Sequence, residues 1–463
     1  MNQARYNPLW LAIVNAAYTV AAAVGWPYYL YLLARHKKYR HALKERWGFV
    51  PRFEPGRKRL WVHAISVGEV EAARTFVPAL ERAFPETEIV LSTTTMTGRE
   101  RAARLFPGRP LFYFPLDLAP CVLGALDRVQ PTAVIQVESE WWPNFFWLAR
   151  RRGIPIVCVN VRITEKAQRG YARIRGLMRA VFSSARAIGV QAEVYRQRLV
   201  SLGADAERIR ITGQMKHDAV TFADSVEGAE TLARDMGIGG SDSVLVAGST
   251  SPGETDLLLS AHRQVRERQP HLRLVIVPRR PENFDAAAEA IRRAGFGCLR
   301  RSRPTDPPLG APATRASGLR SRSGCFGGVG SQSSTTEPPV LLGDTMGELA
   351  KWYALADIVF VGRSLDPLGG SNPMEPGALG RPLLWGPHMF NFPVEAAALL
   401  SAGAARQVEN ASALAAAVED LLAHPERRRH MGDAARTAIR RMQGATQRTI
   451  DLVRESLREK DLS

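Results

Sequence analysis

The chain has 463 residues, 45% hydrophobic and 23% charged, which excludes a collagen-like or wholly disordered polymer. At about 150 residues per domain it has room for two or three domains. The formal charge is +17, but residues 1–60 hold +9 of it, with eleven Lys or Arg against two Glu. The remainder is spread too thinly for a polyanion-coating protein, and no nucleic-acid partner is expected.

In chain order, the first feature is a stretch of 29 residues, Tyr6 to Ala34, without a formal charge. Within it Leu9 to Leu33 is long enough to cross about 30 Å of hydrocarbon as a helix. Arg35, Lys37, Lys38, Arg40, Lys44 and Arg46 follow it, and Trp26, Tyr28, Tyr29 and Tyr31 crowd the same end. This places the remainder of the chain in the cytoplasm and makes residues 1–34 a membrane anchor. A cleaved signal peptide would carry its basic cluster before the apolar run. Asn15, Thr19, Gly25 and Pro27 make the segment only moderately apolar, so it can either span or lie in the interface.

After Trp47, short β-branched runs alternate with longer amphipathic stretches, the pattern of parallel sheets flanked by helices. Strands are expected at Leu60–Ala64, Glu88–Ser92, Ala133–Val137, Pro155–Val159 and Ala187–Val190. A second set is expected at Ser243–Ala247, Leu272–Val277, Val340–Leu342, Ile358–Val361 and Pro382–Trp385. Residues 216–240 read as a linker. The fold class is therefore α/β, with two Rossmann-like doubly wound domains facing a central cleft and function placed just after each strand. Residues 300–339, rich in Pro, Ser, Gly, Arg and Thr, read as a disordered insertion. The four cysteines, Cys121, Cys158, Cys298 and Cys325, form no CxxC and no metal-ligand spacing with the nine histidines. Neither a disulfide framework nor a metal site is expected.

Chemistry gathers at the strand ends. The first strand runs into Ser66, Val67, Gly68 and Glu69. Alone, an acidic residue at a helix start is usually a dipole-matched cap. The third strand, however, ends in Glu138, Ser139, Glu140, Trp141, Trp142, Pro143 and Asn144, and the fourth in Asn160, Val161 and Arg162. Carboxylates and an arginine converging on one crevice make acid-base chemistry plausible. In the second half, GSTSPGE (Gly248–Glu254) offers backbone N–H groups to an anion, and VPRRPENF places Arg279 where it can clamp phosphate. GGSNPMEP (Gly369–Pro376) supplies Asn372 for an amide or phosphate and Glu375 for the hydroxyls of a ribose. None is a Walker A loop or a GxGxxG fingerprint, yet a nucleoside phosphate fits them.

These motifs, in order with ERWGF, SVGE, STTTMTG, ESEWWPN, NVR, GQMKHD, GDTMGEL and GPHMFNF, resemble the 3-deoxy-D-manno-octulosonic acid (Kdo) transferases of lipopolysaccharide synthesis, membrane-anchored glycosyltransferases of the GT-B fold. The resemblance implies an inverting transfer of Kdo from CMP-Kdo to a hydroxyl of a lipid A precursor resembling lipid IVA, at an anionic inner-membrane surface, without a metal cofactor. By matching position, Glu69 would be the general base, and Glu138 and Lys216 would support the transition state. Pro278 and Arg279, Met346, Gly347 and Glu348, and Asn372, Pro373, Met374 and Glu375 would hold CMP.

The implied plan is an anchor at 1–34, an acceptor-binding domain at 35–215, a linker at 216–240, a CMP-Kdo-binding domain at 241–430 and a C-terminal helix at 431–463. Three positions depart from the family pattern: Arg280 and Ser371 stand where histidine is usual, and Arg363 where glycine is. The NARLS pattern reads NVRIT here, Asn160 to Thr164. A GT-B transferase using a UDP-sugar is the alternative enzyme, and a non-catalytic basic membrane scaffold the alternative from another class.

Overall fold

The computed structural model describes residues 12–20, 24–25, 35, 42–303 and 338–457. The chain forms two compact units, Met1–Ala219 with Met442–Ser463, and Val220–Arg441.

The first unit is built on a seven-stranded sheet: β1 (Arg59–His63), β2 (Glu88–Thr93), β3 (Leu111–Tyr113), β4 (Ala133–Val137), β5 (Ile156–Val161), β6 (Ala187–Val190) and β7 (Ile209–Ile211). The order is β3-β2-β1-β4-β5-β6-β7, all pairs parallel. Helices cover both faces, so β1, β4, β5 and β6 are buried at every residue and read as nearly continuous apolar runs. Trp61 packs edge-on against Phe145, with ring centroids 5.3 Å apart. The strand order reverses between β1 and β4, and there the ends of two strands open a crevice.

The second unit repeats the plan with β8 (Ser243–Thr250), β9 (Leu272–Pro278), β10 (Cys298–Arg300), β11 (Val340–Leu342), β12 (Ile358–Val361), β13 (Leu383–Trp385) and β14 (Ala405–Gln407). Its order is β10-β11-β9-β8-β12-β13-β14, again parallel throughout. Its switch point lies between β8 and β12.

The ten strands expected from the sequence all form, within one to three residues at their ends. The four that were not expected, β3, β7, β10 and β14, are three-residue strands that edge the two sheets. The equally short β11 and β13 are fully buried and stand out as apolar runs, whereas these four are only partly buried and pairing with a neighbour defines them.

Where a single helix was read at 431–463, Pro425–Met442 and Ala445–Ser456 form two. Gly444, at φ 86°, turns the chain between them. The second returns to the first unit: Asp218 accepts the backbone N–H of Gly444 at 2.7 Å and of Thr446 at 2.5 Å, while Ile450, Leu452 and Val453 join the core around Met215. The 216–240 stretch holds a helical turn, Met215–Ala219, and a helix, Ala229–Asp235.

Most of the anchor segment 1–34 lies outside the described residues. Among the described residues no helix is long and apolar enough to cross a membrane. Residues 12–20 are helical and pack on the first unit. Val14 is buried, the amides of Asn15 and Asn144 bond reciprocally at 3.0 and 3.1 Å, and Tyr18 donates to Asp117 at 3.1 Å.

The bulk of the 300–339 insertion, 304–337, likewise lies outside the described residues. Its flanks do not: Arg300 belongs to β10, Asp344 accepts from Arg300 Nε at 2.6 Å and from the Ser302 N–H at 2.8 Å, and Arg301 pairs with Glu348 at 3.1 Å. Replacing residues 304–337 by a Gly-Ser linker should therefore leave the thermal midpoint within a few degrees of the full chain. Extending the cut to 300–339 should lower it well beyond that, because it removes the last residue of edge strand β10 and both pairings. Differential scanning calorimetry of the two deletions separates these outcomes.

Candidate active site

In the first unit, β1 ends at His63 and the chain turns through Ser66 into a short helix, Val67–Ala72, whose third residue is Glu69. The Glu69 carboxylate folds back to accept the Ile65 N–H at 2.5 Å, as a helix-capping acid does. It is also only 8% exposed. Burial raises its pKa to about 7; the Ile65 N–H opposes this, and the charges of Glu138 and Glu140 add to it. A cap would sit well below that value. The same residue is thus a cap by position and, by environment, a carboxyl held near neutrality.

Glu138 and Glu140 come from the loop after β4, on the other side of the switch point. Glu138 has a left-handed backbone, φ 63°. Its Oε1 lies 3.8 Å from Lys216 Nζ, both side chains being partly exposed. Lys216 also borders the start of the Glu69 helix, since a Cβ built on Gly68 would lie 4.0 Å from Nζ. Glu69, Glu138 and Lys216 are therefore gathered at one strand-end crevice. Glu140 joins them: burial, then the Glu138 charge, raises it to about 7.

The loop is set by the residues behind it. Asp117 accepts the N–H groups of Asn144 at 3.1 Å and Phe145 at 2.8 Å, capping the helix Pro143–Arg151 that the WWPN motif opens. Asn160, at φ 57°, is fully buried; its Oδ1 accepts the Met215 N–H at 3.1 Å and its Nδ2 reaches Glu138 Oε1 at 3.5 Å. Asn160 thus links the turn carrying Lys216 to Glu138. The strand-end NVR had drawn attention to it, but its pairing with residue 215, 55 positions on, is a product of the fold. Asn160→Ala should lower kcat about tenfold or more while leaving nucleotide affinity unchanged, and steady-state kinetics beside calorimetry checks this.

In the second unit, Ser251 and Glu254 form a capping box at the start of Pro252–Arg266. The GSTSPGE turn was expected to leave its N–H groups for an anion. Part of that capacity is used internally: the buried Glu254 carboxylate accepts the Ser251 N–H at 2.9 Å and three more after β12, from Arg363 at 2.6 Å, Ser364 at 2.8 Å and Leu365 at 3.0 Å.

Pro278 closes β9 and Arg279 stands exposed beyond it. Arg279 and Glu375 both act on the buried Tyr353 hydroxyl, whose pKa is pushed up by burial, then raised by Glu375 and lowered by Arg279. The tyrosine fits because residue 248 is glycine: a Cβ there would lie 2.2 Å from the phenol oxygen.

Asn372 accepts the Met374 N–H at 3.0 Å and donates to Glu375 at 3.2 Å, fixing the start of Met374–Ala378. Pro373 and Met374 are buried, and Glu375 is exposed. In the 346–348 turn Met346 is 68% exposed and Gly347 has φ 86°. The Glu348 carboxylate is engaged by Arg301 at 3.1 Å, Thr345 at 2.6 Å and Lys351 at 3.1 Å. These partners outweigh its burial and hold its pKa at about 2. What this turn offers a ligand is its backbone and Met346.

The family model for 3-deoxy-D-manno-octulosonic-acid transferase matches residues 41–219, the span that carries Glu69, Glu138 and Lys216. The 3-deoxy-D-manno-octulosonic acid transferase of Haemophilus influenzae is 33% identical over 433 residues, 92% of this chain and 94% of the relative. That of Bordetella pertussis is 32% identical over 408 residues, 86% and 87% of the two. The chain belongs to the Kdo transferase family.

Kdo transferases are glycosyltransferases, and the fold agrees. A glycosyltransferase structure from Rickettsia africae aligns with TM-score 0.55 at 11% identity, over 88% of this chain and 99% of that one. The Neisseria meningitidis UDP-GlcNAc 2-epimerase aligns with TM-score 0.53 at 12% identity, over 86% and 99%. At such identities the likeness concerns the GT-B fold alone.

Proposed function

We propose that this Kdo transferase moves Kdo, with inversion, from CMP-Kdo to a hydroxyl of a lipid A precursor at the cytoplasmic face of the inner membrane, tethered through residues 1–34. The observation that carries the reading is Glu69: a buried carboxylate with a pKa near 7, beside two more carboxylates and a lysine, at the switch point of the first unit. A sugar hydroxyl is a poor nucleophile until a base takes its proton as it attacks, and a base titrating near neutrality does this best. Glu69 is that base. Lys216, paired with Glu138, supplies positive charge for the transition state. The second unit binds the donor, with Arg279 on the phosphate, the 346–348 turn beside the nucleotide, and Glu375 with Asn372 on the ribose. No metal takes part in this scheme, so transfer is expected to persist in EDTA.

The test is incubation with CMP-Kdo and a tetra-acylated lipid A precursor, with mass spectrometry of the product. Gain of one or more Kdo units supports the reading; an unaltered acceptor overturns it. CMP, but not UDP, should raise the thermal midpoint. Stabilisation by UDP alone would favour the UDP-sugar alternative, and stabilisation by neither the scaffold.

A further inference from the structure

A cavity of about 300 Å³ in the second unit is lined by Thr250, Ser251, Arg279, Arg280, Arg363 and Leu368, among others. Its arginines arrive from both sides of β8: Arg279 and Arg280 follow β9, and Arg363 follows β12. The Thr250 hydroxyl is buried and has no hydrogen-bond partner among the described residues. The carboxylates of the same loops are occupied, Glu254 by four backbone N–H groups and Asp366 by the Ser251 hydroxyl. Three guanidinium groups around one small cavity repel one another until an anion enters.

Arg363 stands there against backbone preference. Its φ of 61° is the left-handed region that glycine enters freely and an arginine does not. The Glu254 bonds to residues 363–365 hold the loop in that shape whatever the side chain. The ties of the two arginines beyond Arg279 are weak: Arg363 Nη2 donates to the Leu368 carbonyl at 3.3 Å, and Arg280 lies 3.5 Å from the exposed Glu282. Both guanidiniums are available to a stronger acceptor.

The donor supplies one. This step rests on the CMP-Kdo reading above. In the nucleotide-activated form of a 2-keto sugar acid, the anomeric carbon bears both the phosphate oxygen and the carboxylate, so two anionic groups sit side by side. One guanidinium can pair bidentately with only one of them. The geometry points to Arg280 and Arg363 as specificity residues that take the carboxylate of the donor sugar, while Arg279 takes the phosphate. A nucleotide-activated neutral sugar lacks that carboxylate.

Initial-rate kinetics on the full chain, with CMP as product inhibitor, tests this. The KM for CMP-Kdo should rise about tenfold in Arg363→Gly and on the order of a hundredfold in the Arg280→Gln/Arg363→Gly pair. The inhibition constant of CMP, which has no carboxylate, should stay within about twofold of wild type. Arg363→Gly relaxes the positive-φ backbone, so a higher KM there is not a folding loss. Arg363→Lys keeps the charge without the fork and should fall between wild type and glycine.

An unchanged KM in the paired variant, with wild type active, overturns the assignment. So does a CMP inhibition constant that rises in step with KM, which would put these arginines on the phosphate. A wild-type protein that binds CMP but transfers no Kdo would instead remove the functional reading, and this inference with it.

Discussion

Glu69→Gln is expected to lower kcat by about 10²–10⁴-fold, the usual cost of losing a positioned general base, with CMP affinity nearly unchanged. Glutamine keeps the shape and can still accept the Ile65 N–H, so the cap survives and only the proton acceptor is lost. In the wild type, kcat/KM should fall about tenfold per pH unit below about 7, where Glu69 becomes protonated. Stability should move the other way. The folded carboxyl holds its proton up to about 7, against 4.5 for an ordinary glutamate. Its contribution is thus fully present below about 4.5 and is lost as the pH rises through about 7. Glu69→Gln removes that loss, so its thermal midpoint should exceed that of the wild type at pH 8 and match it near pH 4 or below. If instead Glu69→Gln retains more than about a tenth of kcat while Glu138→Gln or Glu140→Gln abolishes turnover, the base is one of those two.

Arg279→Ala should weaken CMP binding by ~1.5–3 kcal/mol, roughly ten- to a hundred-and-fifty-fold in Kd, the range for a charge-assisted contact to phosphate. The side chain is exposed, and the bond that Arg279 makes to the Thr250 carbonyl at 3.1 Å uses its backbone N–H, which alanine retains. The loop should therefore keep its shape, and the loss should report ligand contact. Unchanged CMP affinity by calorimetry would move the phosphate to another group in the same cavity.

Much of this could be read from residue order. Strands buried on both faces show themselves as nearly continuous apolar runs, and so β1, β4, β5, β6, β8 and β9 were all legible. Glu138 and Arg279 were legible as well, since each follows such a run directly, and so was Glu69, in the helix start that the first run leads into. The edge strands were not, because a run as short as Leu111–Tyr113 or Ala405–Gln407 becomes a strand only by pairing with the sheet. The roles of the loop residues were equally hidden. Glu254 reads as an acid near a helix start, and in the fold it braces the loop after β12, more than a hundred residues away.

By itself the sequence determined the two α/β halves, the strand-end motifs and the family, because local periodicity and short motifs survive without knowledge of contacts. Tertiary structure decided which of two helix-start carboxyls is held near neutrality. Glu69 and Glu348 both stand at helix starts, yet one is held at about 7 by burial and neighbouring carboxylates, and the other at about 2 by Arg301, Thr345 and Lys351. A pKa is set by desolvation and by charges within a few ångströms, and Glu138 and Glu140 beside Glu69, like Arg301 beside Glu348, come from chain segments tens of residues away.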